Sequence, residues 1–270
     1  MVKLCLGVTI LAITSLLLGA AVSVALNSMQ LGEAASKGRV SNDCVPLSAS
    51  GNNVYVAWVS NKTGNWEVMF RVSDDNGKTF SDKINLSNTP GSNSLDPHIA
   101  AYGDNVYVSW HDNKTGNWDT YVRTSKDRGQ TFGDTIAIKG TGDMPQTSKL
   151  GVPPGLDPVE DSPLEATHVA AFGKNVYVAS WDKKTGNWEV FVARSTDNGD
   201  SFGDALNLSN SSNTRSDDAH IFALNDNVYT TWWETSKNGT SVPVFRASND
   251  NGATFGPVLK LPANGTIGKE

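Results

Sequence analysis

An all-β fold, a β-propeller of four-stranded antiparallel blades, is predicted by three features of this 270-residue sequence. A short alternating segment recurs four times. A turn signal with Gly-Asn-Trp follows it at a fixed offset in three copies. A Ser/Asp/Gly/Thr pattern closes all four.

The alternating segment is Asn53-Val54-Tyr55-Val56-Ala57-Trp58 in the first copy and Asn105-Val106-Tyr107-Val108-Ser109-Trp110 in the second. It returns as Asn175-Val176-Tyr177-Val178-Ala179-Ser180-Trp181 and as Asn227-Val228-Tyr229-Thr230-Thr231-Trp232. Measured at the Val, the spacings are 52, 70 and 52 residues. Period-two alternation of β-branched and aromatic residues is the pattern of a strand. Lys62 to Glu67, Lys114 to Asp119 and Lys184 to Glu189 share a Lys-Thr-Gly-Asn-Trp-acid block, which has diverged to Lys237-Asn238-Gly239-Thr240 in the fourth copy.

Copy two shows the expected unit most clearly. His98 to Ala101 forms strand one, Asn105 to Trp110 strand two, Trp118 to Thr124 strand three and Thr135 to Ile138 strand four. A meander of this size cannot bury both faces alone. Stacking copies around an axis buries them, and this makes the repeats blades, about 43–88, 95–139, 166–210 and 218–262. The recurring aromatics are then packing between blades.

The pattern that closes each copy is the most specific. It reads Ser73, Asp75, Gly77, Thr79, Phe80; then Ser125, Asp127, Gly129, Thr131, Phe132; then Ser195, Asp197, Gly199, Ser201, Phe202; then Ser248, Asp250, Gly252, Thr254, Phe255. Asp accepts from backbone N–H groups further along, Gly supplies a positive φ, the hydroxyls tie the ends and the aromatic plugs the blade. These residues are expected to be structural.

On these four turns the chain resembles the sialidase-like Asp-box (BNR) repeat family, over about 220 residues from Asn42 to Leu261. The resemblance implies Asp-box turns between strands three and four, on the face remote from any active site. It also implies a possible exo-sialidase activity. The family's enzymes use an arginine triad, a Tyr nucleophile activated by Glu, and an Asp acid/base, on six blades. The family's early Arg-Ile-Pro segment is absent here. Arg71, Arg123, Arg194 and Arg246 recur with the repeat, as do Tyr55, Tyr107, Tyr177 and Tyr229, and Tyr102 and Tyr121 fall in repeat elements. Repetition of this kind points to scaffold roles.

Targeting and partners follow from composition. Lys3 precedes a 23-residue run, Leu4 to Leu26, that carries no charge, with Ser23-Val24-Ala25 near its end. Residues 1–26 therefore read as a signal peptide or a membrane anchor, with 27–41 as linker and 263–270 as tail. Either reading places the propeller outside the cytoplasm, secreted or at the cell surface. With Cys5 inside the apolar run, Cys44 is alone in the mature part, so packing rather than a disulfide holds the domain. The net charge of −6 excludes general nucleic-acid binding. Asn-X-Ser/Thr sequences at Asn61, Asn85, Asn113, Asn207, Asn210, Asn238 and Asn264 would suit an exported protein.

Two features map to the face opposite the Asp-box turns. Gly140 to Glu165 is an insertion with five prolines and the acids Asp143, Asp157, Glu160, Asp161 and Glu165, a candidate recognition loop. His98, His168 and His220 each lie eight residues before the repeat Val, where copy one has Pro46. Equivalent positions on innermost strands converge, so these imidazoles can approach one another. Asp96 and Asp218 stand two residues before His98 and His220. This set is a candidate ligand site. Three His can hold a transition metal, although no cofactor is required by any motif.

The reading is a non-catalytic propeller that binds glycan or a surface protein. The alternatives are an exo-sialidase-type glycoside hydrolase and a propeller with an axial three-His metal site. Four blades either close within one chain or form an arc that pairs with a second chain as a homodimer.

Overall fold

A computed structural model describes residues 45–138, 168–183, 185–261 and 268–269. The N-terminal segment and linker, Cys44 and the whole 140–165 insertion lie outside them, and with the insertion so do Asp143, Asp157, Glu160, Asp161 and Glu165.

The described chain forms four antiparallel sheets. The first contains β1 (Leu47–Ser50), β2 (Asn53–Ser60), β3 (Glu67–Ser73) and β4 (Ile84–Asn85). The second contains β5 (Ser94–Tyr102), β6 (Asn105–Asp112), β7 (Asp119–Ser125) and β8 (Ile136–Ala137). The third contains β9 (His168–Phe172), β10 (Asn175–Asp182), β11 (Glu189–Ser195) and β12 (Leu206–Asn207). The fourth contains β13 (Thr214–Leu224), β14 (Asn227–Ser236), β15 (Ser241–Ser248), β16 (Leu259–Lys260) and β17 (Gly268–Lys269). Each is a meander in sequence order, with a two-residue turn between its first and second strands and longer turns between the strands that follow.

Two differences from the sequence reading concern strand ends. The fourth strand of each blade is only two residues long, because the chain leaves the sheet to enter the loop to the next blade. The expected tail is partly sheet: Gly268 and Lys269 pair with β16 as a fifth strand.

The sheets stack in chain order, with β5 packed on β1 and β2, β9 on β5 and β6, and β13 on β9 and β10. Burial follows from position in the stack. In the second and third blades nearly every residue of β6 and β10 is buried, because both sheet faces are covered. In the last blade β14 alternates, with Val228, Thr230, Trp232 and Glu234 buried. The register corrects one assignment made from sequence. Trp58, Trp110 and Trp232 are equivalent, and Trp110 and Trp232 face the preceding blade. Ser180 takes that place in the third blade, and Trp181, one position on, faces the following blade.

The Ser-X-Asp-X-Gly-X-Thr turns join strands three and four of each blade. In the second blade Ser125 Oγ donates to Asp127 Oδ1 (2.7 Å) and accepts from Gly129 N (2.8 Å). Thr131 N donates to Asp127 Oδ1 (2.9 Å) and the Thr131 hydroxyl to Oδ2 (2.5 Å). The same bonds recur at Asp75, Asp197 and Asp250. Hydrogen bonds to the ionised form hold these carboxyls below the usual range. Asp197 falls to about 2, chiefly through the Ser195 and Ser201 hydroxyls. Each turn is also tied to the hairpin between strands one and two. Asn76 N donates to Asn52 O, Arg128 N to Asp104 O, Asn198 N to Lys174 O and Asn251 N to Asp226 O.

The turn glycine seats one blade on the next. A Cβ on Gly129 would meet Phe70 Cζ at 2.7 Å and Tyr55 at 3.6 Å; one on Gly199 would meet Thr124 Oγ1 at 2.6 Å and Tyr107 at 3.0 Å; one on Gly252 would meet Tyr177 at 2.8 Å. These glycines also have φ between +73° and +79°. Gly103, with φ +59°, has open space at its Cβ position. Gly103→Ala is therefore expected to cost only the left-handed backbone penalty, about 1–2 kcal/mol. Gly199→Ala should lose about 1–3 kcal/mol more through overpacking. Urea denaturation of the two variants checks the difference.

Candidate functional site at the innermost strands

The innermost strands β5, β9 and β13 are neighbours, and two of them are bulged at equivalent places. In β5, Leu95 pairs with His111 and His98 with Ser109, so Asp96 and Pro97 oppose Trp110 alone. In β13, Asp217 pairs with Trp233 and His220 with Thr231, so Asp218 and Ala219 oppose Trp232 alone. Asp96 and Asp218 take left-handed φ values of 57° and 55°, a conformation that Asp tolerates better than most residues. A bulge re-aims side chains and is common beside functional sites. Here each bulge carboxylate is set against the imidazole two residues on. Asp96 Oδ1 lies 3.6 Å from His98 Nε2, and Asp218 Oδ1 lies 3.4 Å from His220 Nε2.

The three repeat histidines come together as a stack. The rings of His98 and His168 have centroids 4.1 Å apart at 44°, and those of His168 and His220 are 4.0 Å apart at 39°. His168 is the middle ring. Burial, and then the proximity of His98 and His220, pushes its pKa well below the ordinary histidine value. The stack is graded in exposure, the His220 side chain being 57% exposed and that of His98 23%. Among the described residues, no three His, Cys, Asp or Glu groups are arranged to hold a metal ion. His111, outside this set, is fully buried, and burial lowers its pKa.

Towards the loop end of β13, Arg215 Nε pairs with Asp217, and its guanidinium lies 5.5 Å from the Trp188 ring. Lys183 Nζ lies 4.9 Å from the same ring. Burial raises the Asp217 carboxyl against the opposing pull of Arg215. Arg215, like Arg128, has no copy in the other repeats, and the sequence reading did not single it out.

Apart from Arg71, which is exposed, the repeat arginines and several of the tyrosines serve the scaffold. Arg123 donates through Nε to Gly133 O (2.7 Å), through Nη1 to Leu86 O of the preceding blade (3.0 Å) and through Nη2 to Phe132 O (3.2 Å). Arg246 repeats this with Gly256, Leu208 and Phe255. Arg194 donates to Asn251 O of the following blade. Burial pushes the Tyr107 and Tyr177 hydroxyls up to about 12. The Tyr121 hydroxyl donates to Asp119 Oδ2 (3.4 Å), and burial and that carboxylate raise its pKa. A hydroxyl shifted upward is a poor nucleophile at neutral pH.

Two buried carboxylates escaped the sequence reading. Glu67 accepts from the Ser87 hydroxyl and from Thr89 N (3.0 Å), and Glu189 from the Ser209 hydroxyl and Ser211 N (2.9 Å). They lock the loop from strand four to the next blade, helped by Asn65 and Asn187, which donate to loop carbonyls. The available signal was the pairing of Asn-Trp-Glu with a Leu-Ser twenty residues later. It also engages the Ser of the Asn85 and Asn207 glycosylation sequences: Ser87 and Ser209 are buried on these carboxylates.

The depressed His168 and His111 pKa values fix the sign of a pH effect. Their folded pKa lies below the unfolded value near 6.5, so the unfolded chain binds more protons below that pH. Their contribution to stability is complete above about pH 6.5. It declines below that, by up to about 1.4 kcal/mol per pH unit for each histidine. Urea midpoints should fall between pH 7 and pH 5, and His168→Gln should flatten that decline by close to one proton.

No family model matches the chain, and no curated protein matches it. Solved structures do. A Dyadobacter fermentans protein of unknown function matches with TM-score 0.53 and 14% identity, over 80% of this chain and 67% of that one. The NanB sialidase of Streptococcus pneumoniae, as its K499G mutant, gives 0.52 and 11%, over 82% and 52%. The α-L-arabinofuranosidase arb93a of Fusarium graminearum gives 0.53 and 14%, over 83% and 68%. This chain thus spans about half the length of NanB and about two thirds of the other two. At these identities the likeness is one of fold: an all-β protein of four-stranded antiparallel sheets, similar to the folds of sialidases and glycoside hydrolases.

Proposed function

We propose that this chain is an extracytoplasmic, non-catalytic binding propeller that takes a glycan, free or carried by a surface protein, at the histidine column. The observation that carries the reading is the column itself: three imidazole edges beside two carboxylates, opening at His220. Imidazole nitrogens and carboxylates supply alternating donors and acceptors, the chemistry that sugar hydroxyls match. Arg215, half-exposed over the buried Trp188 ring, adds a cation on the same strand as His220. The fold neighbours named as a sialidase and an arabinofuranosidase act on glycans, which favours this ligand class by analogy. The apolar run at 4–26 supports the location outside the cytoplasm.

The exo-sialidase reading has the family resemblance in its favour. It is weakened because Arg123, Arg194 and Arg246 are bonded to backbone carbonyls and Tyr55, Tyr107 and Tyr177 are buried with raised pKa values.

Calorimetric titration with a panel of soluble oligosaccharides, α-sialosides among them, tests the proposal. At least one should bind. His220→Ala, which alters an exposed side chain, should weaken that binding about tenfold, or 1.4 kcal/mol. Turnover of a fluorogenic sialoside that disappears in Arg215→Ala would replace the binding reading with the hydrolase.

A further inference from the structure

The junction between blades occurs three times within the chain, and each end of the chain carries one half of a fourth. At the first-blade end, Gly77 has the turn geometry of its equivalents, yet nothing lies within 4 Å of its Cβ position, whereas Gly129, Gly199 and Gly252 are each covered by a side chain of the preceding blade. Leu47 is 57% exposed there. Its equivalents by register, Ile99, Val169 and Ile221, all pack into the inter-blade clusters. Arg71 is exposed, while its equivalents Arg123 and Arg246 clamp a carbonyl of the preceding blade.

The last-blade end offers the complement. Tyr229 stacks on Phe245 with centroids 6.2 Å apart, as Tyr55 does on Phe70 at 6.3 Å. Tyr55, Tyr107 and Tyr177 are at most 1% exposed under the next blade's turn, but Tyr229 is half-buried. Trp233 is 43% exposed where its equivalent Trp181 is 4% exposed. Leu261 is 37% exposed where Leu86 and Leu208 are wholly buried. Apart from Leu206, every large exposed hydrophobic side chain among the described residues belongs to the first or last blade.

We propose that a second copy of this chain supplies the missing halves. Blade four of each copy seats on blade one of the other and closes a two-fold ring of eight blades. Tyr229 and Phe245 of one copy then lie under the Gly77 turn of the other, and Arg71 reaches the carbonyl at Leu261. The interface continues a junction that the chain already builds three times. The chain does not make it with itself, since among the described residues β1 and β13 share no packing of the kind that joins β1 to β5. The two faces differ, so the contact is head-to-tail. Such a contact closes only if the rotation allows, and eight blades lie within the usual four-to-eight range while three copies would not. This inference is independent of what the histidine column binds.

Sedimentation equilibrium of the purified full chain is expected to give twice the chain mass. Leu47→Glu and Trp233→Glu each place a charge on one face only, at side chains exposed in the single chain. Each variant alone should sediment as one chain while keeping the wild-type far-UV circular dichroism. An equimolar mixture should recover two-chain species, because the intact first-blade face of Trp233→Glu meets the intact last-blade face of Leu47→Glu. Arg71→Ala, a milder change, should raise the dimer dissociation constant several-fold. A wild type that sediments as one chain overturns the proposal, and so does an assembly of three or more. Variants that stay dimeric, or a mixture that stays monomeric, overturn it equally.

Discussion

The structure depends on a glycine that has no side chain to spare. At Gly129, Gly199 and Gly252 the turn of one blade rests on the aromatic or hydroxyl side chain of the blade before it, at distances that leave no room for a Cβ. The same residue must adopt a positive φ to close the turn. Both demands fall on one position, and only glycine meets them. The Asp beside it has a different task. Its two oxygens gather the donors of the seven-residue stretch from Ser125 to Thr131 and so tie the turn together. The arginine staples, from Arg123 to Leu86 and from Arg246 to Leu208, then fix each blade to its predecessor through backbone carbonyls.

A scaffold that spends its acids, arginines and tyrosines in this way leaves few groups for chemistry. Blade stacking consumes the faces of the strands, and the carboxylates Glu67 and Glu189 are consumed in locking loops. The histidine positions of the innermost strands are the exception. Equivalent residues there face one another, so a side chain that suits one blade is repeated across the axis. Two successive histidine pairs with ring centroids about 4 Å apart are a consequence of that geometry. The bulges of β5 and β13 add a carboxylate beside the outer two, and the middle imidazole is left in surroundings that disfavour its charge. The result is a column of imidazole donors and acceptors flanked by two carboxylates.

Much of this was legible in the sequence because repetition amplifies weak signals. Four copies of Asn-Val-Tyr and four of the Ser-X-Asp-X-Gly pattern fixed strand number, blade order and turn position. The equal offset of His98, His168 and His220 put them at equivalent places on innermost strands, from which the rings can approach one another. What could not be read is equally specific. A one-residue shift moved Trp181 to the opposite face from Trp110, and only hydrogen-bond register reveals such a slip. The bulges that aim the histidines depend on pairing across strands. Arg215 stood outside the repeat and so drew no attention. Glu67 and Glu189 looked like surface acids of a polar turn, because their partners are twenty residues away in sequence.

The central claim is that the three histidines act as one coupled column at the ligand site. Site-resolved NMR titration of the imidazole C–H signals, with and without a bound oligosaccharide, addresses it directly. The account predicts a His168 pKa well below 6.5 that shifts when the oligosaccharide binds, with His220 perturbed alongside it. An ordinary His168 titration, indifferent to both the neighbouring rings and the oligosaccharide, would contradict it.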